Sequence, residues 1–255
     1  MTNLKKYLPI GIIILTAIFL RLYLFEHRVS FDADQEEIAF KAKEILSGNP
    51  VLLGPKTSLG GFSIGPGFTY LWAIFSFFLR GNPAAGAYLS VFLGVLFIIG
   101  VYLAARKIFS RKIGVILSFI MALSVNLISW DQSPWAPSLF YLSELIIFYG
   151  TYISAKKGYG IVLLALGFAI GLQSHFAVFL LVLPVLIYLL IYKPVTEKKY
   201  IVLSLLILGL SVAPLIIFDL THGFINFQRL MSIFQLSGTG TAPLKVKLLI
   251  TLVTN

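Results

Sequence analysis

Seven runs in this chain are long and apolar enough to cross a lipid bilayer as helices, and together they take up about half of its residues. A crossing helix needs roughly 20 mostly apolar residues. The runs 7–25, 87–105, 113–130, 136–155, 159–174, 176–192 and 200–218 meet that need. An eighth, 67–79, has 13 residues between Pro66 and Arg80 and is too short to span. With 58% hydrophobic and 12% charged residues and a mean hydropathy of +0.95, no soluble core is expected. The fold class is all-α and polytopic: seven spanning helices in a single membrane domain, 1–255.

The formal charge of +10 would suit nucleic acid only if the cations clustered on a folded soluble face. They fall instead in short runs between apolar spans, so they report topology, and no nucleic-acid partner is expected. If 67–79 does not cross, one side of the membrane holds the N-terminus, 106–112, 156–157 and 193–199, with eleven Lys/Arg against the single acid Glu197. The other side then holds eight basic and eight acidic residues. By the positive-inside rule the N-terminus is cytoplasmic, the first span stays attached as a signal anchor, and 67–79 is an interfacial or re-entrant helix on the outer surface. The chain has no cysteine, which removes disulfides and thiolate metal sites.

This topology gathers the polar features at the outer boundary. The long outer loop 26–86 opens on Phe31-Asp32-Ala33-Asp34-Gln35-Glu36-Glu37, holding four of the ten acids. Ile38, Ala42, Ile45 and Leu46 share one helical face, so 34–46 reads as an amphipathic helix on the membrane. Ionised carboxylates at the spacing of Asp32 and Asp34 suit a general base or a hard divalent cation. Asp34 with Glu37 equally fits a capping box; Asp32, outside that pattern and at the membrane boundary, is the stronger catalytic candidate. The Gly/Pro-rich stretch 53–67 can approach a ligand closely or simply turn.

Asp131, in the loop Trp130-Asp131-Gln132-Ser133-Pro134-Trp135, is a candidate acceptor-binding acid. His175, at the outer end of the fifth span, is chemically capable but alone. Arg229 in the outer segment 219–243, with Lys56 and Arg80, can hold a phosphate. Charges inside spans are costly; Arg21 and Glu144, both in the outer half of the bilayer, are expected to pair. Gly167 and Gly171 mark close helix packing. A short helix is expected over 224–236, and 244–255 reads as the start of a truncated span, as in an N-terminal portion of a longer protein.

Several motifs in order carry a resemblance. They are Phe31-Asp32-Ala33-Asp34 after the first span, Lys41 to Gly48, Leu53-Gly54-Pro55-Lys56-Thr57-Ser58, and Gly65-Pro66 opening a short apolar helix. Trp135-Ala136-Pro137-Ser138 and Gly171-Leu172-Gln173-Ser174-His175 follow. In this the chain resembles the protein O-mannosyltransferase-like family of the GT-C class, which includes aminoarabinose transferases. The resemblance implies transfer of a sugar from a polyprenyl-phosphate carrier to a glycan, lipid or protein hydroxyl on the extracytoplasmic face. Asp32 or Asp34 would be the base or would hold a divalent cation that assists. The chain departs from the family in its length and in reading Asp-Ala-Asp where an Asp-Glu pair is commonest. Two other classes fit the composition: a transporter or lipid flippase, with Arg21, Glu144 and His175 lining a path, and a non-catalytic assembly subunit.

Overall fold

A computed structural model describes residues 2–58 and 60–235, with the side chains of 2–6, 234 and 235 excepted. The outer run 237–241 and the apolar run beginning at Leu244 lie outside the described residues. The described residues form an all-helical fold in which the only extended pairing is the isolated bridge Lys56 to Ser63. The helices are α1 (Thr2–Leu22), α2 (Phe25–Arg28), α3 (Ala33–Leu46), α4 (Gly67–Phe78), α5 (Ala85–Ile108) and α6 (Arg111–Leu123). They continue as α7 (Val125–Asp131), α8 (Pro137–Ser154), α9 (Gly160–Leu172), a 3-10 turn (Phe176–Leu181), α10 (Val182–Tyr192), α11 (Lys198–Thr221) and α12 (Ile225–Gln235).

Two of these, α5 and α11, are by length and composition able to cross a membrane unaided, and α6 with α7 makes a third if the bent pair is one span. The apolar pattern therefore yields membrane helices, but two or three such spans stand among the described residues where seven are expected, the other runs including shorter apolar helices. Run 113–130 is not one straight helix: it breaks at Ser124 and turns by 62°. Ser124 has extended backbone angles, and its hydroxyl accepts from the Leu127 amide at 3.5 Å, so it closes α6 and caps α7 at once. A serine side chain competes with helical backbone pairing in this way. Run 176–192 likewise begins as a 3-10 turn before α10.

The short run 67–79 forms α4 and does not stand alone. Phe68, Thr69, Trp72 and Ala73 are buried, while Ile74, Phe77 and Phe78 face outward. The expected amphipathic helix is α3, and its apolar face meets protein: Ile38 and Ala42 are buried against Phe68 and Trp72, in a cluster that continues through Ala85, Leu89, Ala136 and Leu139. That cluster joins the starts of α5 and α8 beneath α3. α8 and α9 approach closely, since a Cβ at Gly167 would lie 2.8 Å from the Ile147 amide nitrogen. The small residue permits the contact. α12 falls where a short outer helix is expected.

Candidate active site

The first acidic residues are ordered by helix-end chemistry. Asp32 has extended backbone angles and is the N-cap of α3: its Oδ1 accepts from the Asp34 amide at 3.0 Å, while Gln35 Oε1 accepts from the Asp32 amide at 2.9 Å. The capping box is thus Asp32 with Gln35, and the expected pairing of Asp34 with Glu37 is corrected. The cap lies two residues earlier than the Asp34–Glu37 pairing requires, so N3 is Gln35 and not Glu37. Glu37 instead accepts from Lys41 Nζ at 2.7 Å, and the same ammonium donates to the Gly54 carbonyl at 2.9 Å. Asp34 is exposed in the first turn, where the helix dipole favours an anion. Its carboxylate has no partner among the described residues.

This loop is fixed to its neighbours at two points. The Ser30 and Ser133 hydroxyls lie 2.8 Å apart, tying the approach to Asp32 to the loop after α7. Phe31 meets Trp72 edge-on at 6.5 Å. Directly below, Arg21 and Asp131 form an ion pair, Nε to Oδ2 at 2.7 Å, with the two residues 0% and 1% exposed. Arg21 Nη1 donates to the carbonyls of Ala17 and Ala122, each at 3.3 Å, and Gln132 Nε2 donates to the Arg21 carbonyl at 2.9 Å. The Arg21 partner is therefore Asp131, and the expected pairing with Glu144 does not occur. The bend at Ser124 carries Asp131 back onto α1, whereas Glu144 lies in α8, which packs chiefly on α9 and α5. Asp131 is consequently held inside the protein and is not presented at the surface. A Cβ on Gly94 would lie 2.0 Å from its Oδ2, so α5 leaves room for the carboxylate only because that position is glycine.

The Gly/Pro-rich stretch is a small hairpin. Gly54 donates to Ile64, Ile64 to Pro55 and Thr57 to Phe62, at 2.8, 3.2 and 2.8 Å. Its tip uses Gly60 and Gly61 at φ +74° and +67°, where a side chain is strained. Two amide side chains, to which the sequence assigns no role, hold it. Asn226 pairs with both backbone groups of Ser63, accepting at 2.6 Å and donating at 3.2 Å. Gln173 accepts from the Gly67 amide at 2.9 Å and donates to the Ser211 carbonyl at 2.6 Å. Asp219 caps α12, taking the Asn226 amide at 2.8 Å and the Phe227 amide at 3.1 Å. An apolar cleft of about 380 Å³ opens beside Gln173, lined by Pro66, Tyr70, Ile170, Leu210 and Pro214.

His175 caps the 3-10 turn, its Nδ1 accepting from the Ala177 amide at 3.1 Å, and packs on the Phe140 ring at 5.5 Å. Burial holds its pKa below the ordinary 6.5, so it is neutral with the proton on Nε2. Lys56, exposed, lies on the hairpin and Arg229, half-buried, on α12, both without side-chain partners among the described residues. The hairpin tip touches α12, because a Cβ at Gly60 would lie 3.2 Å from the Arg229 carbonyl oxygen. The fold thus joins the loops bearing Asp32, Asp34 and Asp131 at one point, and those bearing Lys56 and Arg229 at another. No group of three or more His, Cys, Asp or Glu among the described residues is placed to hold a metal ion. Asp32 and Asp34 alone would leave a hard cation bound mostly by water.

No curated protein and no solved structure matches the chain. The family model described as dolichyl-phosphate-mannose-protein mannosyltransferase matches residues 63–218, more than half of it. The matched stretch contains Asp131 and His175; Asp32, Asp34, Lys56 and Arg229 lie outside it. With the all-helical apolar bundle and the order of its motifs, that match is sufficient: the chain belongs to the dolichyl-phosphate-mannose-protein mannosyltransferase family.

Proposed function

We propose that this protein transfers a sugar from a polyprenyl-phosphate carrier to an acceptor hydroxyl at the extracytoplasmic face of a cell membrane. Seven spans with a cytoplasmic N-terminus would place α3 on that face. Family membership supports glycosyl transfer; the observation that carries the site is the Asp34 carboxylate, exposed in the first turn of α3, without a partner among the described residues and four residues after the Ser30–Ser133 contact. In the reaction Asp34 takes the proton of the acceptor hydroxyl as its oxygen attacks the anomeric carbon. The bond from that carbon to the phosphate oxygen breaks, and the electron pair leaves with the polyprenyl phosphate. Lys56 and Arg229 supply positive charge for the departing phosphate, as preorganised cations do for developing anions. His175, neutral, offers an Nε2 proton to the acceptor or carrier. Asp32 positions Asp34 through the cap, and Asp131 positions the Ser133 loop from below. No step is assigned to a metal.

The test is sugar release from a panel of polyprenyl-phosphate sugars by membranes carrying the native protein, Asp34→Asn or Asp32→Asn. Loss of at least 100-fold in Asp34→Asn, the upper range for a general base being about 10⁴-fold, is the expected outcome. Full activity in that variant removes Asp34 from the mechanism. A larger loss in Asp32→Asn transfers the base role there.

A further inference from the structure

At the end of the bundle opposite Asp32, four helix ends meet: the C-termini of α8 and α10 and the N-termini of α9 and α11. The two loops that join them touch. A Cβ at Gly158 would lie 2.8 Å from the Val195 carbonyl oxygen and 3.2 Å from Thr196 Cα. This contact merges Lys156, Lys157, Lys193, Lys198 and Lys199, all exposed, into one basic surface. The acid in these loops is Glu197, and it is occupied by Lys199 at 2.8 Å. Four ammonium groups remain without an acidic partner among the described residues.

Tyrosines lie between the lysines. Lys156 Nζ sits 4.1 Å from the Tyr152 ring centre, Lys157 5.8 Å from Tyr159 and Lys199 4.8 Å from Tyr200. Tyr188 stacks on Tyr192 at 4.3 Å, and Tyr159 meets Tyr200 at 6.5 Å. Tyrosine prefers the depth at which hydrocarbon gives way to headgroups, because its ring is apolar and its hydroxyl is not. The rings therefore set the lysines at headgroup level. Immediately beyond, Leu190, Ile191, Val202 and Leu205 are exposed on α10 and α11, an apolar wall of the kind acyl chains cover. The other basic loop, with Arg106, Lys107, Arg111 and Lys112, lacks such a frame: the nearby Tyr102 is buried, not at the surface.

We propose that this surface is a binding site for anionic phospholipid, its phosphate-bearing headgroup on the lysines and its chains along α10 and α11. The proposal does not depend on the catalytic assignment. A lysine near an anionic lipid surface contributes about fivefold in affinity. The experiment measures retention of phosphatidylglycerol against phosphatidylcholine by the purified full chain, using native mass spectrometry. The native protein should retain phosphatidylglycerol preferentially, and Lys157→Gln/Lys193→Gln should lower that preference by about 25-fold. Arg28→Gln/Lys43→Gln, an equal charge change at exposed positions on the opposite end, should leave it unaltered. Equal retention of the two lipids by the native protein overturns the proposal. So does an equal fall in both double variants, or displacement of the lipid by inorganic phosphate, which would mark a free-anion site.

Discussion

Removing one side chain of the Arg21–Asp131 pair should damage this fold more than any other single change of charge. Asp131→Asn keeps the volume that Gly94 accommodates and deletes only the charge, leaving a guanidinium that is 0% exposed without its anion. Breaking a buried pair in this way costs about 3–5 kcal/mol. For a chain of this size, about 1 kcal/mol shifts the melting temperature by roughly 2–4 °C, so a drop of roughly 6–20 °C is expected. Arg21→Met should be similarly harmful, for it strands the carboxylate. The pair is held by a single contact, Nε to Oδ2, while Arg21 Nη2 and Asp131 Oδ1 have no partner among the described residues. Its net contribution is therefore small, and Arg21→Met/Asp131→Asn should recover most of what either single change loses. The assay is thermal unfolding of purified protein in detergent, followed by circular dichroism over the full double-mutant cycle. Additive losses at Arg21 and Asp131, with coupling below about 0.5 kcal/mol, would refute the reasoning. Strong coupling between Arg21 and Glu144 would refute it equally.

Two further outcomes follow from side chains that hold the outer face. Gln173→Leu removes the donor to Ser211 and the acceptor of Gly67, and should cost about 1–3 kcal/mol with faster proteolysis of the hairpin. Unchanged cleavage near Gly60 would show that the hairpin is held elsewhere. His175 has its pKa lowered by burial, so the unfolded chain takes the proton first. Stability should be level above pH 6.5 and fall as pH drops below it, and His175→Asn, which keeps a cap without a titrating ring, should flatten that decline.

Apolar run lengths and turn residues carry most of the architecture, since both are local properties. The boundaries of α5, α8 and α11 follow from their runs within three residues at each end. The run 67–79 forms a helix of twelve residues, with Phe68, Thr69, Trp72 and Ala73 buried. Pairings across long stretches of chain leave no local trace. Arg21 is 110 residues from Asp131, and by run length Glu144 is the acid at its depth while Asp131 falls in an outer loop, until the bend at Ser124 carries Asp131 back onto α1. Asn226 and Gln173 were equally hidden, because an amide that replaces a missing strand or donor resembles any other polar residue at a helix end. Asp32 shows a different limit: N-cap and catalytic acid are written with the same letter, and only the start of α3 assigns the cap.

The bend at Ser124 also alters how this bundle meets its surroundings. Thirteen residues of α6 rise about 20 Å, and the seven of α7, tilted by 62°, add only about 5 Å. A hydrocarbon layer is about 30 Å thick. A path of that length leaves the lipid beside α7 too thick for its neighbour, and such mismatch is relieved by local thinning. The bilayer should dip where Asp131 ends, and the dip lies under the Ser30–Ser133 contact beside Asp34. Were the sugar donor lipid-borne, as proposed above, it would meet its acceptor at a depression of the surface.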